Sequence, residues 1–502
     1  MTNGRGANGS ESARRGDAVP LSHPDRLFID GEWRAPSSTA TFEVFDSGTE
    51  ELYYRMAEAR DADVLAAVGA ARTAFDDGPW SSMSHLERAD YLRKLADGLR
   101  LRAEDVAQIW PRESGVVHAA AEYFAIFVAS IFDSYAAMVD TFAFDERVPP
   151  TAGGAVGILT REPVGVVGAI IPWNAPLGQL ATKVAPALLA GCSVVLKASP
   201  QAPGAAYLVA EIAETIGLPA GVLNVITADR AASESLVRDP RIDKISFTGS
   251  TLAGRRVASI CGERIARYTL ELGGKSAAVI LDDADLESAA STIAEAECML
   301  TGQVCASLTR IIVTQDRHDD VVDALSATFS KVEVGDPFLA RTQMGPLSTE
   351  QQRDRVESYI SLGTSDGAVL ATGGGRPEHL DRGWYVEPTV FGNVDNSSRI
   401  AQEEVFGPVL CVIPAKDERH AVSLANDTIY GLNASVFTED VERAEAVARQ
   451  LRSGTVGHNA SRGDIGVAFG GYKQSGIGRE GGVEGLLPYL ETKYIVLGDT
   501  PS

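Results

Sequence analysis

From about residue 60 to residue 140, apolar side chains recur at spacings of three and four. The stretches DADVLAAVGAARTAFDD and SHLERADYLRKLADGLRLRAEDVAQI show the pattern, which predicts amphipathic helices. Ser84, three residues ahead of Glu87, has the spacing of a capping box and marks one helix start. From Val164 onward the rhythm changes. Short β-branched runs (VGVVGAII, CSVVLKA, GVLNVIT, DKISFTGS and YTLELGG) alternate with helical segments, as in βαβ units building a parallel sheet covered on both faces. A second alternating region runs through SAAVILDDADL, TRIIVTQ, YVEPTVF, PVLCVIPA and GTVGHN. Two α/β units are therefore predicted. A last strand, TKYIVLG at 492–498, has no neighbour in sequence and is expected to complete a sheet elsewhere, in this chain or in another subunit.

Length agrees with more than one unit, because 502 residues exceed the roughly 250–300 at which single cores stop growing. The formal charge of -23, with no run of Lys and Arg, opposes a nucleic-acid partner. Five scattered cysteines form no CxxC pair and no disulfide framework, which points to a reducing compartment and a cytoplasmic protein. The first 24 residues, rich in Gly, Ser and charge, read as a disordered leader. The most apolar patch, YFAIFVASIF at 123–132, is shorter than the roughly 20 residues that span a bilayer and reads as a core helix, so no membrane partner is expected.

Four places carry candidate chemistry. FTGSTLAG (247–254) follows a predicted strand and opens a helix, where Gly249 allows close backbone approach and Ser250 sits among unpaired helical N–H groups that favour a phosphate. IIPWNAP (170–176) sets the amide of Asn174 just beyond the carboxyl end of a strand, the edge of an open parallel sheet where ligands bind. Glu271 is a lone acid in an apolar strand. It is a candidate general base, unless it is simply solvated on an edge strand. Cys305 follows Gly302 and Gln303 and precedes a strand, a junction where a thiol can be exposed in a cleft. Cys298, seven residues earlier, falls on about the same face of the preceding helix, which suits packing. No metal cluster is indicated.

Together these pieces resemble the aldehyde dehydrogenase superfamily from about residue 25 to 498. PWN (172–174), LK (196–197), FTGS (247–250), LELGGKS (270–276), GQVC (302–305), EEVFGP (403–408) and FGGYKQSG (469–476) occur in the order of that family, and 34 residues separate Glu271 from Cys305. The resemblance implies an α/β fold with a Rossmann-type cofactor domain, an α/β catalytic domain and a small β oligomerisation element. On that template the cofactor domain covers 25–146 and 166–275, the catalytic domain 276–484, and the oligomerisation element 147–165 and 485–502. It implies NAD(P)-dependent oxidation of a small-molecule aldehyde to an acid, in a homo-oligomer that is a dimer or tetramer. Cys305 would be the nucleophile, Glu271 the activator of water, and Asn174 an oxyanion donor. Pro172, Trp173, Lys197, Ser199, Pro200, Gly249, Ser250, Leu272, Glu404 and Phe406 would contact the cofactor, with Lys197 and Glu404 on the two riboses.

The chain also departs from the pattern. Pro200 stands where many NAD-dependent members carry a ribose-binding Glu, so NADP is possible, although no extra Arg accompanies the loss and NAD is favoured. Ala228 replaces a glycine on the adenine side, and Ala175 is small where some members place an aromatic, which widens the expected tunnel. Cys298 is unusual before the nucleophile and is expected to shape the tunnel. Arg462 is the one cation that could anchor a carboxylate, as a semialdehyde dehydrogenase needs. A non-catalytic descendant is the remaining alternative, opposed by the presence of Asn174, Glu271 and Cys305 together.

Overall fold

A computed structural model describes residues 16, 18–461, 464 and 466–498. Arg462, the candidate anchor, lies outside the described residues. In chain order, a hairpin of β1 (Leu27–Ile29) and β2 (Glu32–Arg34) precedes a second one, β3 (Thr41–Asp46) and β4 (Glu51–Ala57). Four helices follow: α1 (Asp61–Asp76), α2 (His85–Leu101), α3 (Ala103–Ser114) and α4 (His118–Ala137). The capping box expected at Ser84 starts α2, with Ser84 Oγ accepting from Glu87 N and the Glu87 carboxylate accepting from Ser84 N at 2.9 Å.

After β5 (Asp145–Val148) and β6 (Val156–Pro163), strands and helices alternate as expected. The strands are β7 (Val166–Ile170), β8 (Ser193–Ala198), β9 (Leu223–Thr227), β10 (Lys244–Thr248) and β11 (Arg267–Glu271), and the helices between them are α5 (Pro176–Ala190), α6 (Gly204–Thr215), α7 (Arg230–Arg238) and α8 (Thr251–Arg264). The second region holds β12 (Ala277–Ile280), α9 (Leu286–Cys298), β13 (Arg310–Thr314), β14 (Val369–Thr372), β15 (Thr389–Gly392), β16 (Val409–Ala415), β17 (Asn433–Phe437) and β18 (Thr455–His458). β19 (Gly476–Ile477) and β20 (Leu490–Leu497) end the chain.

Two large sheets result, ordered β2-β1-β9-β8-β7-β10-β11-β19 and β14-β15-β16-β13-β12-β17-β18. Alternation along each strand divides its side chains between two cores. Val194 and Leu196 of β8 join α2 to α6 on one face, while Val195 joins α1, α7 and α8 on the other. In β13 the same rule sends Ile312 to one side of the second sheet and Ile311 and Val313 to the other.

Two features differ from the sequence reading, and a third settles an alternative it left open. The strands before residue 60 were missed: β1 and β2, with three residues each, are too short to show a period, and β3 and β4 were not read. Residues 18–24, assigned to a disordered leader, are packed: Ser22 N donates to Glu211 at 2.6 Å, and Arg102 donates to Pro20 O at 3.0 Å. The C-terminal strand finds its partner within the chain, because β20 pairs antiparallel with β6 over eight residues in a three-stranded sheet, β20-β6-β5.

The helical run His118–Asp140 is long and apolar enough, by length and composition, to cross a membrane. Here α4 turns one stripe, including Ala121, Ala125, Ala129 and Phe132, into the first core and leaves Tyr123 and Ile126 exposed.

Candidate active site

The carboxyl ends of β7 and β11 meet the loop that carries Cys305, and each brings one group. β7 ends in Pro172, Trp173 and Asn174. The chain there is fixed by Trp110 Nε1, which donates to Asn174 O at 2.9 Å, and by Ser114 Oγ, which donates to Trp173 O at 2.8 Å. Asn174 is buried, and its amide nitrogen donates one hydrogen bond to Gln303 O at 2.8 Å. An amide NH2 has two hydrogens, so one remains for another acceptor.

Glu271 is the last residue of β11, paired in parallel with Thr248 of β10 and antiparallel with Gly476 of β19. The two-residue β19 removes β11 from the edge, so the solvated-edge alternative fails. Glu271 is 2% exposed, and neither carboxylate oxygen has a partner among the protein atoms. Desolvation is the main cause of a pKa well above the usual carboxylate range. The nearby Glu480 charge adds to it, while Lys183 and Arg479 oppose it. The close packing needs Gly470, at φ +152°, because a Cβ there would lie 2.6 Å from Glu271 Oε1.

Cys305 is the only one of the five cysteines that is not fully buried, and all five are free. Its loop follows a turn with Thr301 and Gly302 at positive φ, and Gln303 is clamped by Ser114 O, Leu300 O and Ser348 N. Desolvation, then the charges of Glu404 and Glu271, push the thiol up to about 12, against the N–H groups of Cys305 and Ala306. Cys298 does not line this cleft. It is the last residue of α9 and packs with Ile280, Ile293, Leu308 and Met344 inside the second unit, which removes the expected tunnel role.

Sequence reasoning missed Lys183 and Glu480. Lys183 of α5 and Glu480 form a short, fully buried ion pair. Lys183 Nζ also donates to Thr248 Oγ1 at 2.7 Å, and Thr182 Oγ1 donates to Glu480 Oε2 at 2.8 Å. A lysine in the otherwise apolar ATKVAPALLA was the available signal.

Beside the site lies a cavity of about 830 Å3, lined by Lys197, Ser199, Pro200, Ser250 and, beyond the sequence reading, Asp229, Arg230, Glu234, Arg256, Phe45 and Trp384 among others. Arg256 is engaged by Glu234 at 2.6 Å. Burial pushes the Lys197 ammonium down to about 8, with Asp229 opposing. Ser250 caps the 14-residue α8, its Oγ accepting from Ala253 N.

Pro172, Trp173, Gly249, Leu272, Glu404 and Phe406 do not line this cavity, and of them the Glu404 charge reaches Cys305. The rings of Trp173 and Phe406 meet edge to face at 5.4 Å. Glu404 accepts from Gly274 N at 3.1 Å, and burial raises its carboxyl to about 7. A cavity lined by a buried ammonium and the N-terminus of α8 fits the phosphate-bearing part of a dinucleotide.

The aldehyde dehydrogenase family model matches residues 33–495, and the chain belongs to that family. It is 42% identical over 472 residues to a geranial dehydrogenase of Castellaniella defragrans, covering 94% of this chain and 98% of that protein. It is 40% identical to a 3-succinoylsemialdehyde-pyridine dehydrogenase of a Pseudomonas species, covering 94% and 98%. Among solved structures, a Mycobacterium tuberculosis aldehyde dehydrogenase complexed with NAD+ superposes with a TM-score of 0.92 at 42% identity, covering 94% and 98% of the two chains. A cysteine-to-alanine variant of a Pseudomonas syringae aldehyde dehydrogenase, complexed with NAD+ and octanal, gives 0.92 at 39% identity, covering 96% and 98%.

Proposed function

We propose that this chain oxidises an aldehyde to a carboxylic acid with NAD as acceptor, using Cys305 as nucleophile, Glu271 as base and Asn174 as oxyanion donor. The observation that carries the reading is the convergence of a part-exposed cysteine, an unpartnered buried carboxylate and a fixed amide, beside a cavity of about 830 Å3. Lys197, Ser199, Pro200 and Ser250 would hold the adenosine and pyrophosphate half of the cofactor; Pro172, Trp173, Gly249, Leu272, Glu404 and Phe406 would hold the nicotinamide half. Bound there, the cofactor supplies the hydride acceptor.

The protein's own groups do the rest. The Cys305 thiol gives its proton to solvent water, and its sulfur adds to the carbonyl carbon. The oxygen that becomes negative is met by the free Asn174 N–H and the Cys305 backbone N–H, both already in place. Departure of hydride leaves a thioester. Glu271 takes a proton from water, the hydroxide adds, and the C–S bond breaks to release the acid and restore the thiolate.

A raised carboxyl suits this step, because a stronger base removes the proton more readily once it is ionised. The first unit handles cofactor and the second carries the nucleophile. Copies of the chain associate through β20, whose Tyr494, Ile495, Val496 and Leu497 are exposed. Free thiols throughout suit the cytoplasm. NADH absorbance with aliphatic, terpenoid and aromatic aldehydes tests the reading, and no turnover with any of them overturns it. Repeating the best case with NADP decides the cofactor preference.

A further inference from the structure

Two residues beyond the nucleophile stands Ser307, whose hydroxyl makes a short hydrogen bond to the carboxylate of Glu297, one residue before the end of α9. Both are buried, Glu297 to 1% exposure. The other carboxylate oxygen, Oε1, has no partner among the protein atoms, and neither has the ammonium of Lys275, which is also buried. Burial raises Glu297 to about 7; the Ser307 hydrogen bond and the Lys275 charge work the other way. Burial lowers Lys275, and the groups facing it are Cys411, Arg310, Glu297 and Glu404. The remaining titratable groups within reach of Glu297 are the thiols of Cys298 and Cys411.

Three segments meet at this pair. The end of α9 brings Glu297, the nucleophile's loop brings Ser307, and the turn after Glu271 brings Lys275. The last two are already in contact, since a Cβ on Gly274 would lie 2.2 Å from Cys305 O. Lys275 O also accepts from Arg310 Nε at 2.9 Å, at the start of the strand that follows the nucleophile's loop. The thioester chemistry uses neither Glu297 nor Lys275. A well-packed apolar pair would stabilise the interior as well or better, so a buried acid and ammonium here gain nothing from stability alone. What Glu297 can supply is a directional hydrogen bond to the loop that carries the thiol, with the Lys275 charge on the turn that follows the base attracting it through space.

We propose that Glu297 is a positioning residue: through Ser307 and Lys275 it sets the placement of the Cys305 loop against the turn that follows Glu271. This rests on the reading of Cys305 as the nucleophile. A shift of the loop by a fraction of an ångström would move the sulfur and the Cys305 N–H together, away from Asn174 and Glu271. The effect is therefore on the rate of bond formation rather than on cofactor binding.

The test uses the full chain with NAD and its best aldehyde, and compares Glu297→Gln, Glu297→Leu, Ser307→Ala and the double variant Glu297→Leu/Ser307→Ala. Glu297→Leu and Ser307→Ala should each lower kcat about tenfold, with KM for NAD unchanged, a size within what misplacement of reacting groups causes. The rate at which iodoacetamide alkylates Cys305, identified against Cys305→Ala, should fall by the same factor. The double variant should be no slower than either single one, because both remove one tie. Glu297→Gln still accepts from Ser307 and should recover most of the rate, and it should lose any limb of the pH profile that belongs to Glu297.

Multiplicative losses in the double variant, equal damage from Gln and Leu, or wild-type alkylation rates in Ser307→Ala would each overturn the proposal. If Glu297→Leu does not fold, Ser307→Ala and Glu297→Gln decide alone. An unmodified chain that turns over no aldehyde sinks the proposed activity instead. The alkylation series still reads the positioning in that case.

Discussion

At the scale of single residues, the two cysteines of ECMLTGQVCASLTR separate by environment. Cys305→Ala should abolish aldehyde oxidation, whereas Cys298→Ala, in the core of the second unit, should keep most activity and cost about 1 kcal/mol of stability, read by denaturant unfolding. Equal loss of activity would contradict this division. Glu271→Gln should release one equivalent of NADH per site and then stall at the thioester, as stopped-flow absorbance would show.

The pH profile follows from the same carboxyl. Because burial raises Glu271, its ionised fraction grows above the usual carboxylate range, so deacylation should accelerate with pH there and become flat in Glu271→Gln. Asn174, Glu271 and Cys305 were legible in sequence because each sits in a short local motif. Lys183 and Glu480 were not, since their pairing spans 297 positions and no local period records it.

Among the elements, α3, α6 and β4 meet at Glu113. Its carboxylate accepts from Tyr54 of β4 and from Gly204 N, the first residue of α6, at 3.1 Å. Burial raises Glu113 to about 8. In the window from the ordinary carboxylate value near 4.5 up to 8, the folded state holds a proton that the unfolded state has lost. Stability therefore falls as pH rises through that window. Glu113→Gln should flatten the decline, by on the order of a few kcal/mol across the window, in urea unfolding at pH 5 and pH 8.

Gly470 belongs to the same scale, being a loop residue that lets one segment reach β11. Gly470→Ala should slow steady-state turnover about tenfold by displacing Glu271, with a smaller effect on the first burst of NADH. Strands with alternating or β-branched runs were readable. The brief β1, β2 and β19 were not, because two or three residues carry no period, and their pairing is set by distant chain.

For the whole molecule, the three-stranded sheet is an exposed feature, and removal of residues 490–502 should leave β6 paired with β5 alone and, on the proposed association through β20, shift the protein to smaller species in light scattering. The motifs gave the family because seven of them kept their order over nearly the full length, a global property that no single one possesses. They did not reveal how the two units are joined.

That join lies in residues 469–481. Gly476 and Ile477 pair with β11 of the first sheet, and Ser475 Oγ donates to Gly273 O at 2.7 Å. A few residues away, Tyr472 N donates to Gly431 O at 2.7 Å and Lys473 Nζ to Asn426 O at 2.7 Å, in the second unit. The segment is thus stitched to both halves at the catalytic carboxylate. A clamshell swing of one half away from the other would strip β19 from β11, beside the base, before it widened the cleft. Acid and spent cofactor must therefore leave a nearly rigid body, through the repacking of side chains and surface turns along their own exits.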